Sequence, residues 1–370
     1  MHHIMSIIGA RPQFVKAAVV SRLIRSEAWR DRFSETLVHT GQHYDENMSA
    51  VFFREMRIPE PDINLGVGGG SHGSMTGRML EGLERLILER KPDLVLVYGD
   101  TNSTLAGALA ASKLLVPVAH VEAGLRSFNK RMPEEQNRIL ADRLSTWLLC
   151  PTETAVRNLS REGVEDTGPG AAPTADSPRV ANVGDVMYDA SLFYRSIAAE
   201  RPAEDRALRR LGIDGPFHLL TLHRAENSDD RGRLASILSA LGSSGKSILF
   251  PLHPRTRKML EAFGLTVPGN VRVIEPVGFL DMLDLERECE GVITDSGGVQ
   301  KEAFFFGKPC VTLRDQTEWT ETVESGWNRV VRAEPRAILS ALSAPIPSGS
   351  RPELYGSGDA GERILAELDH

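Results

Sequence analysis

Residues 292–306 read VITDSGGVQKEAFFF. A short apolar strand passes through a Ser-Gly-Gly turn into a helix, which is the unit from which parallel α/β sheets are built. Ser296, Gly297 and Gly298 fall where the unpaired amides of a helix N-terminus point outward, and glycine lets a ligand come close to the backbone. The stretch therefore predicts a diphosphate cradle and a phosphorylated small molecule as ligand. An isolated Gly-Gly is more often only a tight turn, so the choice rests on the rest of the chain.

Working outward, strand-like runs alternate with helix-like segments almost throughout. IMSII, ETLVHT, LVLVYGD, VPVAHVEAG and STWLLCPT occupy the first half, and RVANVG, FHLLTLH, SILFPLH, VRVIEP, GVITDSGG and PCVTLR the second. They are apolar on both faces instead of alternating, as strands of a parallel sheet covered by helices must be. At 370 residues and 41% hydrophobic content the chain can fill two such cores. Residues 168–178, GPGAAPTADSP, have linker composition. They predict two doubly wound Rossmann-like domains, 1–178 and 179–350, facing a central cleft.

No apolar run approaches the ~18 residues of a membrane span, and the apolar start at Ile4 is too short for a signal sequence, so a cytoplasmic protein without a membrane partner is expected. Cys150, Cys289 and Cys310 sit in apolar stretches without a CxxC pair, which predicts core residues and neither disulfides nor a metal site. A net charge of −7 with no basic stripe argues against nucleic acid. Residues 66–73, GVGGGSHG, lack the Gly-Lys-Ser/Thr ending of a phosphate loop and follow no clear strand, so they read as a mobile loop. No GxGxxG calls for a dinucleotide, and no cofactor is expected.

In open α/β sheets ligands bind beyond the carboxyl ends of the strands. Those positions carry Gly9 and Arg11, with Pro12 opening a helix and Lys16 one turn on, then Gln42 and His43, Asp100, and His120, Glu122 and Arg126. The second half adds His223, Arg224, Glu226 and Asn227, then His253 and Arg255, and the cradle. Any one of these is most simply a cap or loop residue. Chargeable groups at so many strand ends point to a binding cleft.

GARPQFVK, YGDTNST, HVEAGLR, MPEEQNR, LHRAEN, LHPRT, TDSGGVQKEAFFFGKP and YGSGDAGERI together resemble the ordered motifs of the non-hydrolysing UDP-N-acetylglucosamine 2-epimerases, from Ile7 to about Leu365. The resemblance implies a glycosyltransferase-B-like architecture and a homodimer. It also implies reversible inversion at C2 of a UDP-linked 2-acetamido sugar, and a last helix, residues 356–368, that crosses back onto the first domain. By that resemblance Asp100, Glu122, Glu134 and His223 match acid/base positions, and Arg11 and Lys16 charged active-site positions. Ser296, Gly297, Gly298 and Glu302 match the diphosphate and ribose site. Arg11, Gln42, His43, Arg224, Asn227, His253, Arg255 and Arg314 complete the UDP-sugar contacts.

The chemistry accounts for the carboxylates. The C2 proton of such a sugar has no adjacent carbonyl, so its removal is feasible only as UDP leaves C1 to give a glycal. That requires proton-handling groups on both faces and cations on the diphosphate. Structural readings stand beside this: Glu122 as a cap for a helix from Gly124, Glu134 and Glu135 as first-turn acids favoured by the helix dipole, and Lys16 as a solvated lysine. The variants SFNKRMPEE and RDQTEW resemble the branch acting on UDP-2,3-diacetamido-2,3-dideoxy-glucuronate. On that substrate Lys130 and Arg131 would meet the uronate carboxylate and Trp319 the sugar. Rival readings are a glycosyltransferase of the same architecture, a hydrolysing epimerase and a two-domain solute-binding protein.

Overall fold

The computed structural model describes residues 1–42, 57–168, 170–347 and 351–369. It contains two all-parallel sheets. The first has the order β3-β2-β1-β4-β5-β6-β7, from β1 (His2–Ile8), β2 (Phe33–His39), β3 (Ile63–Asn64), β4 (Leu94–Tyr98), β5 (Val118–Val121), β6 (Trp147–Cys150) and β7 (Arg179–Asn182). The second has the order β10-β9-β8-β11-β12-β13, from β8 (His218–Thr221), β9 (Ile248–Pro251), β10 (Val271–Ile274), β11 (Gly291–Thr294), β12 (Cys310–Thr312) and β13 (Asn328–Val330). In each, the chain builds outward from one strand, returns, and builds the other way. The strand order reverses between β1 and β4 and again between β8 and β11, where a crevice opens at the strands' carboxyl ends.

The sequence pattern follows from helices covering both faces. Ile4, Met5, Ile7 and Ile8 of β1 are all fully buried. Met5, Ile7, Val95 and Val97 pack with Met79 and Leu83 of the helix His72–Arg90 and with Ala106, Ala108 and Ala111 of the helix Asn102–Lys113. The second unit repeats this arrangement, with Leu220, Phe250 and Ile293 meeting Leu234, Ile237 and Leu241 of the helix Arg231–Ser243. Each large side chain among these contributes roughly 1.5–3 kcal/mol by leaving water.

The chain divides into a unit of 1–190 with 353–370 and a unit of 191–352. The boundary expected at 178 is thus one strand early. β7 pairs with β6 from Trp147↔Arg179 to Cys150↔Asn182, so RVANVG closes the first sheet instead of opening the second. Residues 170–178 of the linker-like stretch are a loop inside the first unit, and Thr167 Oγ1 donates to the Ser177 carbonyl at 2.6 Å. The last helix begins at Ala360, not 356, because Gly356 and Gly358 turn at positive φ. It docks on the first unit: Trp29 Nε1 donates to Glu362 at 2.6 Å, Arg179 Nε to Glu367 at 2.8 Å, and the Gly361 amide to Asp189 at 2.8 Å. The glycine loop at 66–73 does follow a strand, the two-residue β3, and Arg78 Nη2 holds the Gly69 carbonyl at 2.6 Å. Among the described residues no helix is long and apolar enough to cross a membrane.

Candidate active site

In the first unit the strand ends are tied together by buried polar side chains. Gln13, on the helix Arg11–Ile24, accepts from the Gly9 and Ala10 amides at 2.8 and 3.1 Å and donates to the Tyr98 carbonyl at 2.6 Å, fixing the end of β1 to the end of β4. Arg11 is exposed at the start of that helix. One turn further in, Lys16 forms an ion pair with Glu122, their side chains 14% and 5% exposed. Glu122 has φ +69°. A glutamate in the left-handed region is strained by order 1–3 kcal/mol, and such strain concentrates at functional sites. No helix starts at Gly124, so the capping alternative for Glu122 is corrected: residues 122–124 form a turn. Gly99 completes the corner at φ +61°, and a β-carbon there would stand 3.2 Å from Glu122 Oε2 and 3.4 Å from Lys16 Nζ.

Beneath this pair lies a buried network. His120 Nδ1 meets Asp142 Oδ1 at 2.7 Å, and its Nε2 meets the Gly99 carbonyl at 2.7 Å. Asp142 Oδ2 pairs with Arg126 at 2.7 Å and accepts from the Gly124 amide at 3.2 Å. Burial raises the Asp142 carboxyl, but the hydrogen bond and charge of His120, with Arg126, outweigh it and hold the group below the usual carboxylate value. Arg126 also grips Glu162 through Nε and Nη2 at 2.7 and 2.9 Å.

Asp100 is bound by Arg138, whose Nη1 reaches Glu135 at 3.0 Å. Two adjacent glutamates in PEEQNR part ways: Glu135 is buried, whereas Glu134 is exposed on the first turn of the helix Pro133–Leu144. Gln42 accepts from Ser103 N and Oγ at 3.0 and 2.8 Å. His43 lies outside the described residues.

In the second unit Asp295, fully buried at the end of β11, is the organising group. It accepts from the His223 amide at 3.1 Å and the Arg224 amide at 3.0 Å, so the end of β8 is fixed to the cradle. The His223 ring lies 3.5 Å from Asp295 Oδ1 and 5.6 Å, centroid to centroid, from His253. Burial lowers the His223 pKa, His253 and Arg224 lower it further, and Asp295 opposes them. The Arg224 side chain makes no ion pair among the described residues. Asn227 is internal, its amide donating to the Leu313 carbonyl at 2.7 Å and to Asp295 at 3.3 Å. Arg255 pairs with Asp229.

The helix Gly297–Phe305 starts at Ser296, whose side chain makes no capping bond. A β-carbon on Gly298 would meet nothing within 4 Å, so the space beside its backbone is open. On Gly297 it would lie 2.8 Å from Glu318 Oε1. Glu318 in turn holds buried Arg314 at 2.9 Å. Trp319 is 6% exposed, with Lys301 Nζ 4.2 Å over its ring. Lys301 thus covers one face of the ring on which a sugar contact was expected. Glu302 is buried beside Glu286, whose carboxyl is pushed well above the usual value by burial and then by the Glu302 charge.

Gln13, Asp142, Asp295 and Arg138 organise these strand ends, and sequence reasoning did not single them out; Glu135 it named only as a first-turn acid. Asp295 sat inside the quoted motif, and a carboxylate closing an apolar strand was the available signal.

Comparison with known proteins places these features in context. The sequence profile described as UDP-N-acetylglucosamine 2-epimerase matches residues 27–369. A Pseudomonas aeruginosa protein named UDP-2,3-diacetamido-2,3-dideoxy-D-glucuronate 2-epimerase is 52% identical over 99% of both chains. A Methanocaldococcus jannaschii UDP-N-acetylglucosamine 2-epimerase is 42% identical over 98% of both. The crystal structure of the M. jannaschii UDP-GlcNAc 2-epimerase with UDP-GlcNAc and UDP superposes with a TM-score of 0.84, at 41% identity and 99% coverage of each chain.

Proposed function

The chain belongs to the UDP-N-acetylglucosamine 2-epimerase family, and from that membership we propose that it inverts C2 of a UDP-linked 2-acetamido sugar by eliminating and re-adding UDP. The favoured substrate is UDP-2,3-diacetamido-2,3-dideoxy-D-glucuronate, with UDP-N-acetylglucosamine second. The observation that carries the mechanism is Glu122, strained at φ +69°, ion-paired to Lys16 and set beside the corner that bears Asp100.

In the forward step a base takes the C2 proton, the C–H electrons form the C1=C2 bond, and the C1–O bond breaks to release UDP. The glycal then accepts a proton on the opposite face of C2 while a UDP oxygen returns to C1. Asp100, Glu122, Glu134 and His223 are the groups proposed to move protons. The amides of Ser296, Gly297 and Gly298, with Arg224, His253 and Arg255, would stabilise the charge gathering on the diphosphate, and Arg11 and Lys16 match charged active-site positions of the family. Glu302 would take the ribose hydroxyls. Asn227 and Gln42 are proposed as further UDP-sugar contacts, placed by their hydrogen bonds to Leu313 and Ser103. Preference for the uronate is supported by the 52% identity to the P. aeruginosa protein and by Lys130 and Arg131, both exposed in the loop before Pro133. The family resemblance supports a homodimer, which light scattering would read.

The test is proton NMR in D₂O with each sugar nucleotide in turn. Deuterium entering C2 of the uronate alone supports both reaction and branch. Exchange into UDP-N-acetylglucosamine alone defeats the substrate preference, and exchange into neither defeats the mechanism.

A further inference from the structure

The chain leaves β5 through residues 125–132, and one side chain there is unfavourably placed on two counts. Phe128 is 71% exposed. Its φ is +56°, in the left-handed region where a β-carbon crowds the backbone. Glycine or asparagine would make the same turn at lower cost, and an exposed aromatic ring gains nothing from the hydrophobic effect. Local preference therefore opposes both the residue and its conformation.

The surrounding structure imposes that conformation. Glu135 is 1% exposed, and its two oxygens accept from consecutive amides, Phe128 N and Ser127 N, each at 2.9 Å. Arg138 compensates the buried charge through Nη1 at 3.0 Å, and Nη2 of the same guanidinium binds Asp100. One arginine thus joins a carboxylate of the candidate site to a carboxylate that clamps the loop. The position of the Phe128 backbone is referenced to Asp100 through three polar contacts.

We propose that Phe128 is a specificity residue of the sugar site, packing on an apolar face or acetamido methyl of the substrate, and that Glu135 is the positioning residue that holds it in register with Asp100. This rests on the reading of the site as one for a UDP-linked 2-acetamido sugar. The strained backbone and exposed ring are then costs of the free protein, recovered when the ring is covered. Recognition of this kind acts on the sugar and not on the nucleotide.

The experiment compares wild type with Phe128→Ala, Phe128→Gly and Phe128→Tyr by calorimetric binding of UDP and of each UDP-sugar, steady-state epimerisation and thermal unfolding. Phe128→Ala and Phe128→Gly are expected to raise KM and the UDP-sugar Kd about fivefold or more, as loss of one apolar contact would. Turnover stays within about twofold and UDP affinity is unchanged. Phe128→Tyr stays near wild type. Phe128→Gly should also raise Tm by a few degrees, since glycine accepts positive φ. Glu135→Gln should raise KM similarly, and do so much less in a Phe128→Ala background. Unchanged sugar affinity in both small variants overturns the proposal, as does an equal loss for UDP and UDP-sugar. A change of oligomeric mass with unchanged KM would place Phe128 in a subunit interface and also overturn it. A wild-type protein that binds the sugar nucleotide without exchanging C2 defeats the epimerase reading alone, leaving the Phe128 contact to be judged on binding.

Discussion

Replacing Asp142 with asparagine tests the buried network that supports the corner carrying Glu122 and Asp100. The carboxylate receives Arg126, His120 and the Gly124 amide. An amide offers one acceptor oxygen and an N–H₂ group, so one side of it must face a donor unless His120 shifts its hydrogen. Breaking a buried ion pair by removing one partner costs 3–5 kcal/mol in general. Arg126 keeps its two-pronged contact with Glu162, which puts the cost at the lower end, about 3 kcal/mol. For a unit of this size that lowers Tm by roughly 6–12 °C. The pH dependence has a fixed sign. The Asp142 carboxyl is depressed below 3.8 in the fold, so its stabilisation is present above that value and lost as pH falls through the lower folded value. The difference between wild type and variant should be full at pH 7 and shrink at acid pH below 3.8. Thermal unfolding by circular dichroism from pH 3 to 8 measures both. A Tm within 2 °C of wild type at pH 7, or a difference that grows on acidification, would refute the reasoning.

Asp189 gives the opposite sign. Burial, assisted by Asp185 and Asp359 and opposed by the Gly361 and Ala360 amides, pushes its carboxyl from 3.8 to about 6, so its contribution to stability is greatest below 3.8 and falls as pH rises through about 6. Asp189→Asn should therefore be the more stable protein at pH 8, by up to about 3 kcal/mol, with the gap closing by pH 4; a gap independent of pH would count against this. Gly297→Ala, whose β-carbon would lie 2.8 Å from Glu318 Oε1, should lower Tm and weaken UDP binding about tenfold. Gly298→Ala should weaken UDP binding without lowering Tm, and calorimetry with melting curves separates the two. Lys130→Ala with Arg131→Ala should raise the KM for the diacetamido uronate about fivefold and leave that for UDP-N-acetylglucosamine alone; an unchanged uronate KM removes both cations from recognition. Glu122→Gln should reduce turnover about 10²-fold or more with UDP binding intact, and near wild-type rates would take Glu122 out of the mechanism.

The sequence by itself determined what depends on near neighbours. VITDSGG could be read as strand, turn and helix start because apolar runs, glycine punctuation and N-terminal amides are local, and unbroken apolar strands already imply helices on both faces. The ordered strand-end motifs carried the family for the same reason. The sequence did not determine pairings made across the fold. β7 joins β6 through backbone bonds that its composition does not reveal, so a linker-like loop suggested a boundary where the sheet continues. Glu134 and Glu135 are indistinguishable in PEEQNR, and only the packing of the helix Pro133–Leu144 buries the second as a clamp. Asp142 and Asp295 read as ordinary polar residues until the fold brings donors to them from another strand end, residues 120–126 for Asp142 and 223–227 for Asp295. Burial makes a single carboxylate decisive, because removed from water it must be satisfied by whatever the tertiary structure brings to it.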